Sequence, residues 1–215
     1  MPDKSGLIKI LVLASGNGTN FQSLIDNLDR RKAELSLLII DRPGAYAAKR
    51  ARLSGIPFIL EKPDYDLKRR ERRIELSNRI LDHCRHYKID MIVHAGFLSV
   101  LSGEIIEEYE GKMLNIHPAL LPKYGGQGMY GENVHRAVLE AGESESGCTV
   151  HYVTAGIDSG PVILQKKVPV LPGDNVELLA KRIQEQEHSA IMEAVNIVID
   201  KILEKIFDKN SLEEK

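Results

Sequence analysis

In the run "KMLNIHPALLPKY", Asn115 and His117 lie two residues apart, and Pro118 and Pro122 follow closely. Met113, Leu114 and Ile116 predict a strand over 112–117. Successive strand residues point to opposite faces, so the amide and the imidazole emerge together while Leu114 and Ile116 face the other way. The prolines stop the strand, which puts the pair at its carboxyl end, where open α/β sheets build their sites. An amide donor beside an imidazole can stabilise an oxyanion and move a proton. A lone histidine is more often structural. The pair, set before a proline- and glycine-rich loop, points to function.

Three other stretches hold residues that could join them. In "ASGNGTNF" (14–21), a strand feeds a glycine-rich turn at a helix start, which offers free N–H groups and the positive helix end to an anion. Gly16 and Gly18 permit close approach, and Thr19 and Asn20 add donors. A dinucleotide site is one reading, with Asp41 placed as a ribose-binding acid. Phe21 stands where the third glycine of that fingerprint belongs, so a single phosphate fits better, and a purely structural turn stays open. In "TAGIDSGPVI" (154–163), Asp158 is the only acid. Alone it reads as a turn aspartate; brought near His117 it would favour the imidazolium and raise the histidine's pKa. Toward the C-terminus, Val176, Leu179, Ile183, Ile191, Ala194 and Val198 trace an apolar helical stripe. Glu187 falls on that stripe, and a carboxylate there is costly unless satisfied. Gln184, one turn earlier, could share its partner, either a buried cation or a ligand's hydroxyl or amine groups.

The elements that must position these residues alternate along the chain. Strands are predicted at 7–15, 35–40, 56–60, 90–96, 112–117, 147–154 and 161–170. Helices are predicted from Thr19 to Arg30, near 45–54, over 66–88 and from Val176 toward Phe207, and Gly55 is a C-terminal stop for the second. This order predicts an α/β, Rossmann-like fold with a mostly parallel central sheet and helices on both faces. No repeat or linker interrupts it, so residues 1–215 read as one domain, with a frayed polar tail "KNSLEEK". The basic stretch "LKRRERRIELSNR" (67–79) reads as a solvated helix face in preference to an anion-binding patch. Without other ligands nearby in sequence, "HCRH" (83–86) does not make a metal site.

Bulk properties exclude several classes. An apolar fraction of 43% over 215 residues suits a globular core, and no run reaches membrane-span length. The opening "MPDKSGLIKI" lacks the apolar core of a signal peptide. Cys84 and Cys148 form neither a CxxC nor a disulfide framework, so a reducing cytoplasm is the expected compartment. A formal net charge of −2 gives no reason to expect nucleic acid or membrane as partner.

Taken in order, "SGNGTN", "AGFLSVLS", "NIHPALLPKY", "GIDSGPVI" and "QEQEH" resemble the phosphoribosylglycinamide formyltransferase family over roughly residues 8–200. The resemblance implies formyl transfer from 10-formyltetrahydrofolate, as co-substrate and without metal, to the amine of glycinamide ribonucleotide in de novo purine synthesis. It implies a catalytic trio of Asn115, His117 and Asp158, with Gly18, Thr19 and Asn20 at the substrate phosphate. Gln184 and Glu187 match residues around the substrate's ribose and glycinamide. Leu98, Ser99, Val100 and Leu101, with Thr154, Ala155, Gly156, Ile157 and Asp158, match the segments that hold the folate. Asn115 also belongs to the folate contacts, and Arg73 matches a residue near the folate's carboxylate tail, which takes that arginine out of the solvated face. The N-terminal half then forms the phosphate side, and the C-terminal half the folate and catalytic side. In the implied mechanism, Asn115 and a protonated His117 stabilise the oxyanion while Asp158 holds and charges the histidine. Small molecules are the implied partners, with a monomer or homodimer as the assembly.

The chain departs from the family at several points. Ser99 replaces the arginine usual in "AGFMRIL", so a side-chain contact is lost there, and "IIDRPGAY" replaces a frequent "SNK" turn. The loop "YGGQGMYGENVH" is longer than the commonest form. His94 stands where an apolar residue is usual; it reads either as a neutral core histidine bonded to a carbonyl, or as a folate contact that makes affinity depend on pH between about 5 and 8. Two related activities are disfavoured: a formyltetrahydrofolate hydrolase is expected to carry an N-terminal regulatory domain, and a methionyl-tRNA formyltransferase a C-terminal barrel and a basic surface. A non-catalytic nucleotide-binding module, using the glycine loop and Asp41, is the alternative from another class.

Overall fold

The structure, a computed structural model, describes residues 6–213, with side chains of the last helix described as far as Asp208. Apolar runs rich in Ile, Leu and Val form the inner strands β1 (Ile8–Ala14), β2 (Ala33–Ile40), β4 (Met91–His94) and β5 (Met113–His117). Both their faces are covered, which is why they read as continuous apolar runs. The short β3 (Phe58–Leu60) lies at one edge. At the other end β6 (Glu145–Tyr152) and β7 (Val162–Pro169) complete a seven-stranded sheet in the order β3-β2-β1-β4-β5-β6-β7. The first five strands run parallel; β6 is antiparallel to β5, and β7 to β6.

Strand alternation divides the core between the two faces of the sheet. Ile10, Val12, Leu114 and Ile116 pack with α1 (Thr19–Asn27), α2 (Ala47–Leu53), α5 (Glu132–Glu140) and α6 (Val176–Glu213). Leu11, Leu13, Ile92 and Met113 pack with α3 (Arg69–Tyr87) and α4 (Glu104–Glu108). The expected α/β architecture, with helices on both faces, is the observed one. Because β1 is followed by β2 on one side and flanked by β4 on the other, chain direction across the sheet reverses between β1 and β4. Crevices at the carboxyl ends of such strands bind ligands.

The structure corrects three local expectations. The run expected as loop up to His135 becomes helical at Glu132, where Val134 and Val138 are buried one turn apart. The five-residue α4 was not anticipated. The last helix continues past Phe207 to Glu213, through most of the tail read as frayed; Glu214 and Lys215 lie outside the described residues. No described helix is long and apolar enough to cross a membrane.

Candidate active site

The carboxyl ends of β1, β4 and β5 open into a cavity of about 660 Å³, within the range of small-molecule sites. At one end lies the glycine turn. Gly18 adopts a left-handed φ of 71° and caps α1 without a side-chain hydrogen bond, so the helix start is open toward the cavity. Arg50 braces the turn from behind: its Nε donates to the Asn17 carbonyl at 2.8 Å and its Nη2 to Asn17 Oδ1 at 3.1 Å. Helix α6 closes the same end, with Gln184 Nε2 donating to Thr19 Oγ1 at 3.0 Å and Asn20 Nδ2 to Glu187 Oε2 at 3.2 Å. Burial pushes the Glu187 carboxyl above its usual pKa, against the Asn20 bond. Glu187 has no cationic partner among the described residues, so the buried ion pair is not what satisfies it. A Cβ on Gly18 would sit 2.8 Å from Ala47 Cβ, in a conformation side chains rarely adopt. Gly18→Ala should therefore cost roughly 1–3 kcal/mol in denaturant unfolding and displace the turn; unchanged stability would show that α2 yields freely.

At the other end, the segment after β4 faces the loop between β6 and β7. Ser15 Oγ accepts the Leu98 N–H at 2.7 Å and fixes the first of these. Leu98 to Leu101 and Thr154 to Asp158 all line the cavity. Ser99 Oγ donates to Asp41 Oδ2 at 2.6 Å. Asp41 is 3% exposed and is not part of the cavity wall, so the ribose-binding acid of a dinucleotide site is not presented.

Between the two ends, polar residues form a row across the sheet. His94 of β4, Asn115 of β5 and His151 of β6 are paired in register, and all three line the cavity. His151 Nδ1 faces the Tyr152 carbonyl at 2.9 Å, and its Nε2 lies 3.1 Å from Asn115 Nδ2 and 3.6 Å from Asp158 Oδ1. The same amide nitrogen lies 3.4 Å from Asp158 Oδ1. His117 Nε2 donates to the Tyr124 carbonyl at 2.7 Å, and its Nδ1 faces Asp158 Oδ2 at 3.5 Å. Asp158, held at a left-handed φ of 51°, also accepts the Gly126 N–H at 3.0 Å. The three residues singled out from sequence therefore meet at one point.

Their protonation differs from the expectation. Burial pushes the His117 pKa below its ordinary value of 6.5, and Asp158 and the Tyr124 carbonyl oppose this without reversing it. Burial also pushes the Asp158 carboxyl up, but His151, His117 and the Gly126 amide outweigh it and hold it low. The resting pair is an ionised aspartate beside a neutral imidazole. His94, 5% exposed, is driven down to about 3 by burial and by His151, with Asp158 opposing. It stays neutral throughout pH 5–8, so the expected pH-dependent folate contact does not arise from it. Nor is its Nε2 bonded to a carbonyl: that atom is buried without a partner, and the ring meets Phe97 edge to face at 5.6 Å.

The family model for formyl transferases matches residues 8–195. The chain belongs to the formyl transferase family. It is 38% identical over 185 residues to phosphoribosylglycinamide formyltransferase of Escherichia coli K12, covering 85% of this chain and 82% of that protein. It is also 38% identical over 193 residues to the trifunctional purine biosynthetic protein adenosine-3 of Gallus gallus, where it covers 89% of this chain but spans 18% of that protein's length. Glycinamide ribonucleotide transformylase 1 from Symbiobacterium toebii superposes with a TM-score of 0.82 at 35% identity, over 94% of this chain and 92% of that one.

Of the residues that the resemblance implies for the site, all line the main cavity except Arg73, which lines a smaller neighbouring one; Asp41 lines neither. Two participants were missed. His151 lies in a strand whose alternation alone gives no reason to single it out; its register opposite Asn115 is the signal, and register is a property of the sheet. Arg50 reaches the glycine turn across 33 residues of sequence, with nothing local to mark it. Among the described residues no cluster of three or more His, Cys, Asp or Glu side chains is placed to hold a metal ion.

Proposed function

We propose that this chain transfers the formyl group of 10-formyltetrahydrofolate to the amine of glycinamide ribonucleotide. The observation that carries this is the meeting of Asn115, His117 and Asp158 midway between an open helix start and a half-apolar pocket, in one cavity. The names of the Escherichia coli and Symbiobacterium toebii relatives support it. The cavity suits both ligands: Gly18, Thr19 and Asn20 present donors to a phosphate, while Val100, Leu101 and Val153 wall the opposite end for a flat heterocycle. The two sides do not divide by halves of the chain: Gln184 and Glu187 of α6 join the glycine turn on the phosphate side, and Leu98 to Leu101 join the β6–β7 loop on the folate side.

The bound folate supplies an electrophilic formyl carbon. Asn115, its amide aimed by His151, offers hydrogen-bond donation to the oxygen on which negative charge builds. His117 begins neutral, with Nδ1 free to accept the proton the amine gives up. Once it is charged, both its N–H groups have acceptors, Asp158 at Nδ1 and the Tyr124 carbonyl at Nε2. The ion pair with Asp158 then forms during the reaction rather than before it, where it lowers the barrier. From Nδ1 the proton passes on toward the departing folate nitrogen.

The direct test follows folate absorbance during formyl transfer, with and without glycinamide ribonucleotide. Turnover only with both ligands is expected; folate cleavage without the acceptor amine would instead assign a hydrolase. Glu187 gives an independent check. Its ionised form is disfavoured by burial, so stability should fall as pH rises through its elevated pKa. Glu187→Gln removes that charge; it should weaken glycinamide ribonucleotide binding while leaving folate binding intact and melting temperature unchanged or slightly higher at neutral pH. A large fall in melting temperature with unchanged ligand affinity would mark Glu187 as structural.

A further inference from the structure

A neutral imidazole carries one ring hydrogen, and at His117 two acceptors compete for it. The Tyr124 carbonyl lies 2.7 Å from Nε2, and Asp158 Oδ2 lies 3.5 Å from Nδ1. An ionised carboxylate is the stronger acceptor, so the hydrogen stays on Nε2 only while the carbonyl is held close. A hydrogen on Nδ1 would occupy the atom that has to take the amine's proton. The backbone path at Tyr124 therefore sets the tautomer on which the reaction depends.

That path is an uncommon one. Tyr124 adopts a left-handed φ of 56°, a conformation that disfavours a bulky side chain and needs a compensating contact. The contact is made at the far end of the side chain, where the hydroxyl donates to Glu143 Oε1 at 2.9 Å. Lys123 Nζ donates to the same oxygen at 2.7 Å. These bonds, from Lys123 and then Tyr124, hold the Glu143 carboxyl below its usual pKa, so it is ionised at neutral pH. Glu143 itself sits in the turn between α5 and β6, its N–H bonded to the Val138 carbonyl at 3.3 Å. The next carbonyl, that of Ser144, accepts the Val170 N–H at 2.9 Å, so the turn is tied to the sheet. On the other side of Tyr124 the chain has little slack. A Cβ on Gly125 would lie 2.5 Å from Leu121 Cδ2 and 3.3 Å from Asp158 Cβ, and the Gly126 N–H is bonded to Asp158. The carbonyl is thus fixed between a side-chain strut and a backbone clamp.

We propose that Glu143 is a positioning residue for formyl transfer: through the Tyr124 hydroxyl it holds the Tyr124 carbonyl on His117 Nε2 and so keeps Nδ1 bare. This rests on the reading of His117 as the proton acceptor. Neither Glu143 nor Tyr124 lines the cavity, so the effect falls on turnover and not on ligand affinity.

The test reads the tautomer directly, by two-bond ¹H–¹⁵N correlation spectra of histidine-labelled protein at about pH 8, where histidine is neutral. The His117 signals are those lost in His117→Ala, and the wild type should show the hydrogen on Nε2. Glu143→Ala should move it toward Nδ1 and lower kcat about tenfold with both KM values unchanged, the scale of one hydrogen bond to a charged group. Glu143→Gln, whose side-chain oxygen still accepts the hydroxyl, should keep most of the tautomer and the turnover. Tyr124→Phe removes the hydroxyl alone and should reproduce Glu143→Ala without disturbing the turn, and the double variant should be no worse than either single one. Lys123→Met removes an exposed ion pair and should leave tautomer and kcat as in the wild type. A loss of kcat with the hydrogen still on Nε2 overturns the inference. A wild type that already carries its hydrogen on Nδ1 overturns the proton-acceptor reading as well, whereas an unchanged tautomer in both Glu143→Ala and Tyr124→Phe overturns this inference alone.

Discussion

Replacing His117 with alanine should leave both ligands bound and reduce turnover by roughly 10²- to 10⁴-fold, about 3–5 kcal/mol of barrier. The ring is buried, bonded through Nε2 to the Tyr124 carbonyl and faced at Nδ1 by Asp158, so its removal takes away one proton acceptor and strands one carboxylate. Asn115→Ala and Asp158→Ala should also lose turnover. Double variants should lose far less than the product of the single losses, because the three side chains act as a unit. The pH profile carries a sign. If the starting form of His117 is neutral, kcat/KM should hold level as pH falls to 6.5 and decline only at lower pH. A requirement for the imidazolium at the outset would instead make activity fall as pH rises. Turnover of wild-type magnitude in His117→Ala would end the mechanism.

His94→Leu should flatten the dependence of stability on pH. The folded imidazole has its pKa near 3 against an ordinary 6.5, so on acidification the unfolded chain takes up this proton first. The stability contribution present above 6.5 is then lost progressively as pH falls toward 3. At 1.36 kcal/mol per unit, the wild type should lose roughly 3 kcal/mol by pH 4 that the leucine variant keeps. Other depressed histidines, among them His117 and His135, contribute to both proteins and cancel in the comparison. Denaturant unfolding at pH 7 and pH 4 reads the difference directly. Parallel curves for the two proteins would mean that the ring finds a way to charge in place.

Much of this site was legible because its chemistry sits where strands end. Asn115 and His117 share a face by strand geometry alone, and the glycine turn announces itself by composition. Asp158 was placed beside them only by resemblance, since the contact spans 41 residues and no local pattern foretells it. The charge state of His117 was misjudged for a physical reason: sequence shows which acid can approach, but not how completely water is excluded. Helix α5 was hidden by the glycines before it, which argue for loop until Val134 and Val138 are seen to be buried together. Helix α4, five residues long, is too brief for a period to declare itself.

The loop after β5 touches both members of the proton-handling pair: the Tyr124 carbonyl takes the His117 hydrogen, and the Gly126 amide holds Asp158. The longer stretch, from Gln127 to Gly131, contributes wall to the cavity and no hydrogen bond to the trio. The two halves of the loop are thus separable by inheritance. Insertions and deletions can accumulate on the outer half, altering which ligands are admitted, while the inner half must keep its backbone path or lose the acid–base pair. A family built this way can diversify its doorway at constant chemistry.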